Sequence, residues 1–245
     1  MLELNSWQLL VVALSYTSFI LYFHNLFKDH YWTGIIINLL CIFGAFGIIQ
    51  TNLEWLLFIV GSVINVFFDT AEVYRKKWKY NTKSGYILWA GTGWGLITLI
   101  VFQLAKSGNI PIYILLSVLT SMILFSRYNI EFKLNKYKRS HWLLFALIAL
   151  LISPKLFLVS LFIGIIFEFI AVTIFKTWKY YGTVFLLVGI GYGTLMVVIE
   201  VLLNLFSGVF NPISLLFAFG IIIYLIGQYI AFFNKTKNLK IITNL

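Results

Sequence analysis

The chain holds only eight acidic residues, and several of them stand inside or beside apolar runs, where a carboxylate is expensive. Glu168 follows Ile165, Ile166 and Phe167 and precedes Phe169 and Ile170, with no charge before Lys176. Eight residues of helix separate it from that lysine, about 12 Å. A carboxylate at this depth is expected to be protonated or paired inside the bundle, and a protonated acid in apolar surroundings is suited to proton donation. Asp69 stands nearly two helical turns inside the basic boundary that begins at Arg75. Asn65, Asp69 and Glu72 fall on one stripe of that helix. Glu72 is the nearest of them to Arg75 and Lys76, where headgroups and those cations can solvate it. Glu168, Asp69 and Glu72 are therefore the candidate catalytic residues. Asn65, Trp94, Tyr192, Tyr224 and Gln228 are candidates for contacting a substrate or partnering a buried acid.

A second feature repeats. KKWKY spans Lys76 to Tyr80, and KTWKY spans Lys176 to Tyr180, each after an apolar run that carries acid. Trp78, Tyr80, Trp178, Tyr180 and Tyr181, interleaved with lysines, fit an interfacial aromatic belt, which explains the recurrence without chemistry. Gly91, Gly93 and Gly95, and again Gly189, Gly191 and Gly193, allow close backbone approach, with helix packing the simpler use. Several chemistries are missing. His24, His30 and His141 lie near run ends and do not form the histidine clusters of membrane desaturases, and there is no HExxH, GxSxG or phosphate-binding Walker loop. Cys41 is the single cysteine, so neither a disulfide framework nor a thiolate metal site is expected. No metal or other cofactor is expected either.

The elements that must position these residues follow from composition. Of 245 residues, 61% are apolar and 11% charged, which excludes an ordinary water-soluble domain. Backbone amides in hydrocarbon must be satisfied internally, so the apolar runs are expected to be helices. The expected architecture is an all-α polytopic transmembrane bundle of about nine spans, at 6–24, 32–50, 53–74, 86–105, 110–127, 141–153, 156–176, 182–205 and 212–233. The basic residues, 18 against 8 acidic, cluster in alternate inter-run segments, so the net charge of +10 reads as a topology signal and not as a nucleic-acid surface. This places the N-terminus outside and the C-terminus in the cytoplasm of an inner or plasma membrane. The WKY segments, the GWG and GYG triplets at 93–95 and 191–193, and SGNIP against SGVFNP suggest a tandem parallel four-helix repeat. One integral membrane domain, 1–245, would then divide into an extra first helix at 1–31, repeats at 32–127 and 141–233, and a cytoplasmic tail at 234–245.

The stretch YTSFILYFHNLFKDHYWTGIIINLLCI, Tyr16 to Ile42, with its FKD turn and the aromatic Tyr31, resembles the first two spans of membrane-integral terpene cyclases. That resemblance implies an all-helical enzyme that protonates an isoprenoid olefin or epoxide with acids inside the bundle. The family's second-span glutamate has no counterpart in CIFGAFGIIQ, Cys41 to Gln50, so Glu168 would supply the acid by a different arrangement. Three functions are open on sequence: an intramembrane enzyme acting on an isoprenoid or other lipid, a secondary transporter with buried carboxylates, and a non-catalytic subunit of a membrane complex. The expected partner is a membrane lipid or isoprenoid substrate, not nucleic acid, and a homo-oligomer is compatible with the composition.

Overall fold

The structure is a computed structural model that describes the backbone of residues 6–28, 30–74, 78–83, 87–107, 109, 111–113, 115–116, 140–180 and 185–242. Within these, the side chains at 6, 71–72, 74, 140–143, 185–187, 228–229 and 231–242 lie outside the description. Eight α-helices of thirteen residues or more are seen: α1 (Ser6–Phe27), α2 (Tyr31–Ile48), α3 (Asn52–Tyr74), α4 (Ala90–Ser107), α5 (Ser140–Ile152), α6 (Pro154–Phe169), α7 (Phe185–Phe206) and α8 (Pro212–Ile242). A π-helical segment, Ile170–Ile174, continues α6. Among the described residues there are also two short strands, β1 (Trp78–Tyr80) and β2 (Trp178–Tyr180).

Local chemistry sets several helix ends. Pro154 and Pro212 open α6 and α8, where proline's missing N–H is no loss. At the start of α3, the Glu54 amide donates to Thr51 Oγ1 while Glu54 Oε2 accepts from the amides of Gln50 and Thr51, a reciprocal capping box. Lys106 Nζ, 2.9 Å from Glu54 Oε1, and Gln103 Nε2 tie the end of α4 to that cap.

The centre consists of two antiparallel pairs, α3 with α4 and α6 with α7, which also meet through α3 against α7 and α4 against α6. Small residues let each pair close. A Cβ on Gly61 would meet Thr98, one on Gly95 would meet Ser62 and Phe58, and one on Gly193 would meet Phe157. These contacts assign the glycines of both triplets largely to packing. Helices α1 and α2 lie against α4, and α5 and α8 against α7. Their outward faces carry exposed apolar side chains such as Phe43, Phe46, Leu151, Leu216 and Ile223, the surface a helix presents to hydrocarbon.

The expected nine spans and four-helix repeat are corrected here. Among the described residues, five helices are long and apolar enough to cross a membrane: Trp7–Phe27, Tyr31–Ile48, Asn52–Thr70, Pro154–Ile174 and Val188–Phe206. Helix α4 is diluted by glycines, Thr92, Gln103 and Lys106. The 13 residues of α5 reach about 20 Å against a hydrocarbon core of about 30 Å. In α8 the apolar portion, Pro212–Gly227, is a shorter helix segment. The span expected at 110–127 lies largely outside the described residues. No clear tandem four-helix repeat is evident in the bundle. Close packing favours glycine and helix initiation favours proline, so recurring triplets and proline-led starts do not by themselves require a repeat. The bundle itself is all-α as expected, and β1 and β2 add only two three-residue strands, where the likeness between the two segments is concentrated.

Candidate functional site

The two WKY segments pair with each other. β1 and β2 run antiparallel, with Trp78 opposite Tyr180, Lys79 opposite Lys179 and Tyr80 opposite Trp178. Side chains alternate across a strand, so the two lysines take one face and the four aromatics the other. Both lysines are exposed. Beneath the aromatic face the rings meet edge to face, Trp78 with Tyr180 at 5.5 Å and Tyr80 with Trp178 at 5.6 Å.

The backbone that brings β2 into place is unusual. The last turns of the helix carrying Glu168 are π-wound, Thr177 N donates to Ala171 O at 2.8 Å, and Lys176 adopts a left-handed conformation at φ 51°. A helix end of this kind reverses the chain abruptly and returns Trp178 over the helix it has just left. The Asn25 and Asn81 side chains donate to the carbonyls of Phe175 and Lys176, satisfying acceptors freed by the turn.

The aromatic face meets the two buried acids. Trp178 Nε1 donates to Glu168 Oε2 at 2.9 Å, Tyr180 OH to the same oxygen at 2.5 Å, and Tyr192 OH to Oε1 at 2.8 Å. Trp78 Nε1 donates to Asp69 Oδ1 at 2.9 Å, and Tyr80 OH to Oδ2 at 2.8 Å. Each carboxylate is 1% exposed, so these bonds replace water. An indole N–H can only donate, which fixes the oxygens facing Trp78 and Trp178 as acceptors; the phenols can turn and accept. Burial, with the Glu168 carboxylate beside it, pushes the Tyr180 phenol well above its usual value, so it keeps its proton as a donor.

Around Glu168 the site is walled by rings. Trp94 lies 5.1 Å from Tyr192 and 6.3 Å from Phe167, and Phe167 lies 5.7 Å from Trp178. Among the described residues no lysine, arginine or histidine is paired with Glu168; its three partners are neutral. The arrangement can hold a proton on a carboxylate–phenol network and can offer a carboxylate together with π faces to a cationic group. Among the described residues no three His, Cys, Asp or Glu side chains gather as a metal site.

Of the candidate residues, Glu168, Asp69, Tyr192 and Trp94 come together. Asn65 is buried on the same stripe as Asp69, but its Nδ2 donates to Gly61 O at 2.8 Å and to Thr98 Oγ1 at 3.4 Å, joining α3 to α4. Tyr224 packs on Phe145, 5.7 Å between ring centroids, where α5 meets α8. The side chains of Glu72 and Gln228 lie outside the described residues. By composition Trp78, Tyr80, Trp178 and Tyr180 fit an interfacial belt, whereas the structure hydrogen-bonds all four to buried carboxylates. Their signal was the spacing: nine residues from Asp69 to Trp78 and ten from Glu168 to Trp178.

Comparison of the chain with known protein families, curated proteins and solved structures returned no match. The resemblance to terpene cyclases gains no support from these comparisons. What stands is a polytopic, largely helical membrane protein with buried acidic and aromatic clusters.

Proposed function

We propose that the protein is an intramembrane enzyme acting on an isoprenoid or other lipid substrate, with Glu168 and Asp69 at its polar centre. The observation that carries this reading is Glu168 itself: a carboxylate 1% exposed, inside a membrane-length helix, held by three neutral donors. Taking a carboxylate out of water costs several kcal/mol. A neutral acceptor would tether the same strands at lower cost, so the ionisable group calls for a use beyond tethering. In apolar surroundings that use is proton transfer at a substrate carbon or oxygen, with positive charge on the substrate stabilised by the carboxylate and by the faces of Trp94 and Trp178. Tyr180 and Tyr192 hold the carboxylate in position, and Asp69 holds the companion strand. Glu72 remains a candidate acid and Gln228 a candidate substrate contact.

The packing favours an enzyme over a transporter. The junction of α3 and α4 with α6 and α7, where an axial solute path would run, holds Trp94 with its ring against both Phe167 and Tyr192.

The test is a comparison of total lipid extracts, by mass spectrometry, from cells carrying the wild-type protein, Glu168→Gln or no protein. The amide is nearly isosteric, and its carbonyl can face Trp178 while its NH₂ donates to a rotated Tyr192 hydroxyl, so the fold should persist. A product present only with wild type supports the enzyme. Identical lipids in all three cells reject it, and solute flux in proteoliposomes then becomes the informative assay.

A further inference from the structure

We infer that Oε1 of Glu168 is the oxygen that carries the transferable proton, and that Tyr192, whose hydroxyl lies on that oxygen, is a catalytic residue, whereas Trp178 and Tyr180 are positioning residues. The two oxygens of this carboxyl are not equivalent. Oε2 accepts from Trp178 Nε1 at 2.9 Å and from Tyr180 OH at 2.5 Å, which occupies both of its lone pairs. Among the described residues Oε1 accepts from Tyr192 OH alone, at 2.8 Å, and its second lone pair has no donor.

The indole strengthens this assignment. Trp178 can only donate, so it holds Oε2 as an acceptor whether or not the acid is protonated. A proton on Oε2 would force the Tyr180 phenol to turn and accept, and would leave the indole facing a hydroxyl oxygen, a poorer acceptor than a carbonyl. A proton on Oε1 leaves both bonds to Oε2 as they stand. The supporting elements agree. Oε2 faces donors from β2, at the end of the bundle, while Oε1 faces Tyr192 of α7, whose ring lies 5.1 Å from Trp94 of α4. Gly164, one turn before Glu168 on α6, leaves room for that ring, since a Cβ there would lie 2.7 Å from Tyr192 Cγ. Oε1 is thus the oxygen on the bundle side.

In the transfer, the Oε1–H bond breaks, its electron pair stays on the carboxylate, and the proton bonds to a substrate carbon or oxygen, which takes the positive charge. The Tyr192 hydroxyl can accept from Oε1–H before substrate is bound, and it donates to Oε1 once the proton has left. The resulting carboxylate has the three donors seen in the structure. Return of one proton from the substrate cation to Oε1 restores the acid, so no co-reactant is consumed. The use of this proton rests on the enzymatic reading; its place on Oε1 does not.

The test is infrared difference spectroscopy of the full chain in nanodiscs, acidified stepwise, with Glu168→Gln as reference. A carboxyl C=O band present in wild type, absent in Glu168→Gln and lowered in D₂O marks the protonated acid. With the proton on Oε1 the carbonyl oxygen is Oε2, and hydrogen bonds to a carbonyl lower its stretching frequency. Tyr180→Phe and Trp178→Phe each remove one such bond and should raise the band, and Tyr192→Phe should move it less than either. Should one of the first two variants lose its helices by circular dichroism, the other still decides. No such band in wild type, a larger rise for Tyr192→Phe, or equal rises in all three variants overturns the assignment. The measurement needs no turnover. The expected shifts with lipids unchanged by the protein would reject the enzyme, and Tyr192 as its catalytic residue, but keep the proton's place; a wild-type-only product with the opposite shifts would reject the place and keep the enzyme.

Discussion

Glu168 was legible in the sequence because every neighbour within a turn is apolar, and a carboxylate there has to be enclosed. Its partners were not legible, because a tryptophan and a tyrosine among lysines satisfy an interfacial belt by composition alone. Only the distance from acid to aromatic, similar in both segments, distinguishes a residue that folds back from one that anchors outward. Two outcomes follow at this scale. Trp178→Phe keeps the ring and removes one of the two donors to Oε2, and should lower stability by about 1–3 kcal/mol in detergent unfolding, since the oxygen is shut off from water. Tyr180 is held above the ordinary tyrosine range by burial and by Glu168. Its neutral form is therefore the one present at pH 10, and Tyr180→Phe should leave the tyrosinate absorbance that develops up to that pH unchanged. A matching loss of absorbance would show an accessible phenol.

The helices were legible as elements, since long apolar runs admit little else in hydrocarbon. Their number as spans was not, because α4 and α5 read as apolar runs yet are diluted or short. The strands were invisible for a different reason: three residues carry no period, and their pairing joins segments 100 positions apart. That pairing is open to a direct check. Lys79 and Lys179 face each other across the ladder on the exposed side. Opposed Cβ atoms of an antiparallel pair lie about 4.5–5.5 Å apart, near the reach of a disulfide. The variant Lys79→Cys, Lys179→Cys should form an intramolecular disulfide under mild oxidation, seen as a mobility shift reversed by reductant, and Cys41, fully buried, should not compete. A shifted control, Lys79→Cys with Lys176→Cys, should link poorly; equal linking of both pairs would contradict the register.

At the scale of the molecule, the paired strands bind the end of the α3–α4 pair to the end of the α6–α7 pair, and the acids bind the strands to the bundle. Lys28, Lys79, Lys83, Lys176 and Lys179 belong to that end, while the Glu54–Lys106 cap marks the other. The concentration of cations favours the strand end as cytoplasmic. A membrane-impermeant maleimide should then label Lys79→Cys in inverted vesicles and Ser107→Cys in intact cells; the reverse pattern would invert the orientation.

The central claim, that the buried carboxylate of Glu168 does chemistry on a lipid, is tested most directly with purified protein in nanodiscs made from the lipids of its expression host. Lipids are extracted over a time course and compared by mass spectrometry for wild type, Glu168→Gln and Glu200→Gln, the last a half-buried acid on α7 outside the aromatic cluster. Circular dichroism would establish that all three retain their helices. A species that accumulates with time is expected for wild type and Glu200→Gln and is expected to be absent for Glu168→Gln. No time-dependent species for wild type, or one formed equally by Glu168→Gln, would contradict the claim and leave the acid–aromatic cluster as a structural tie.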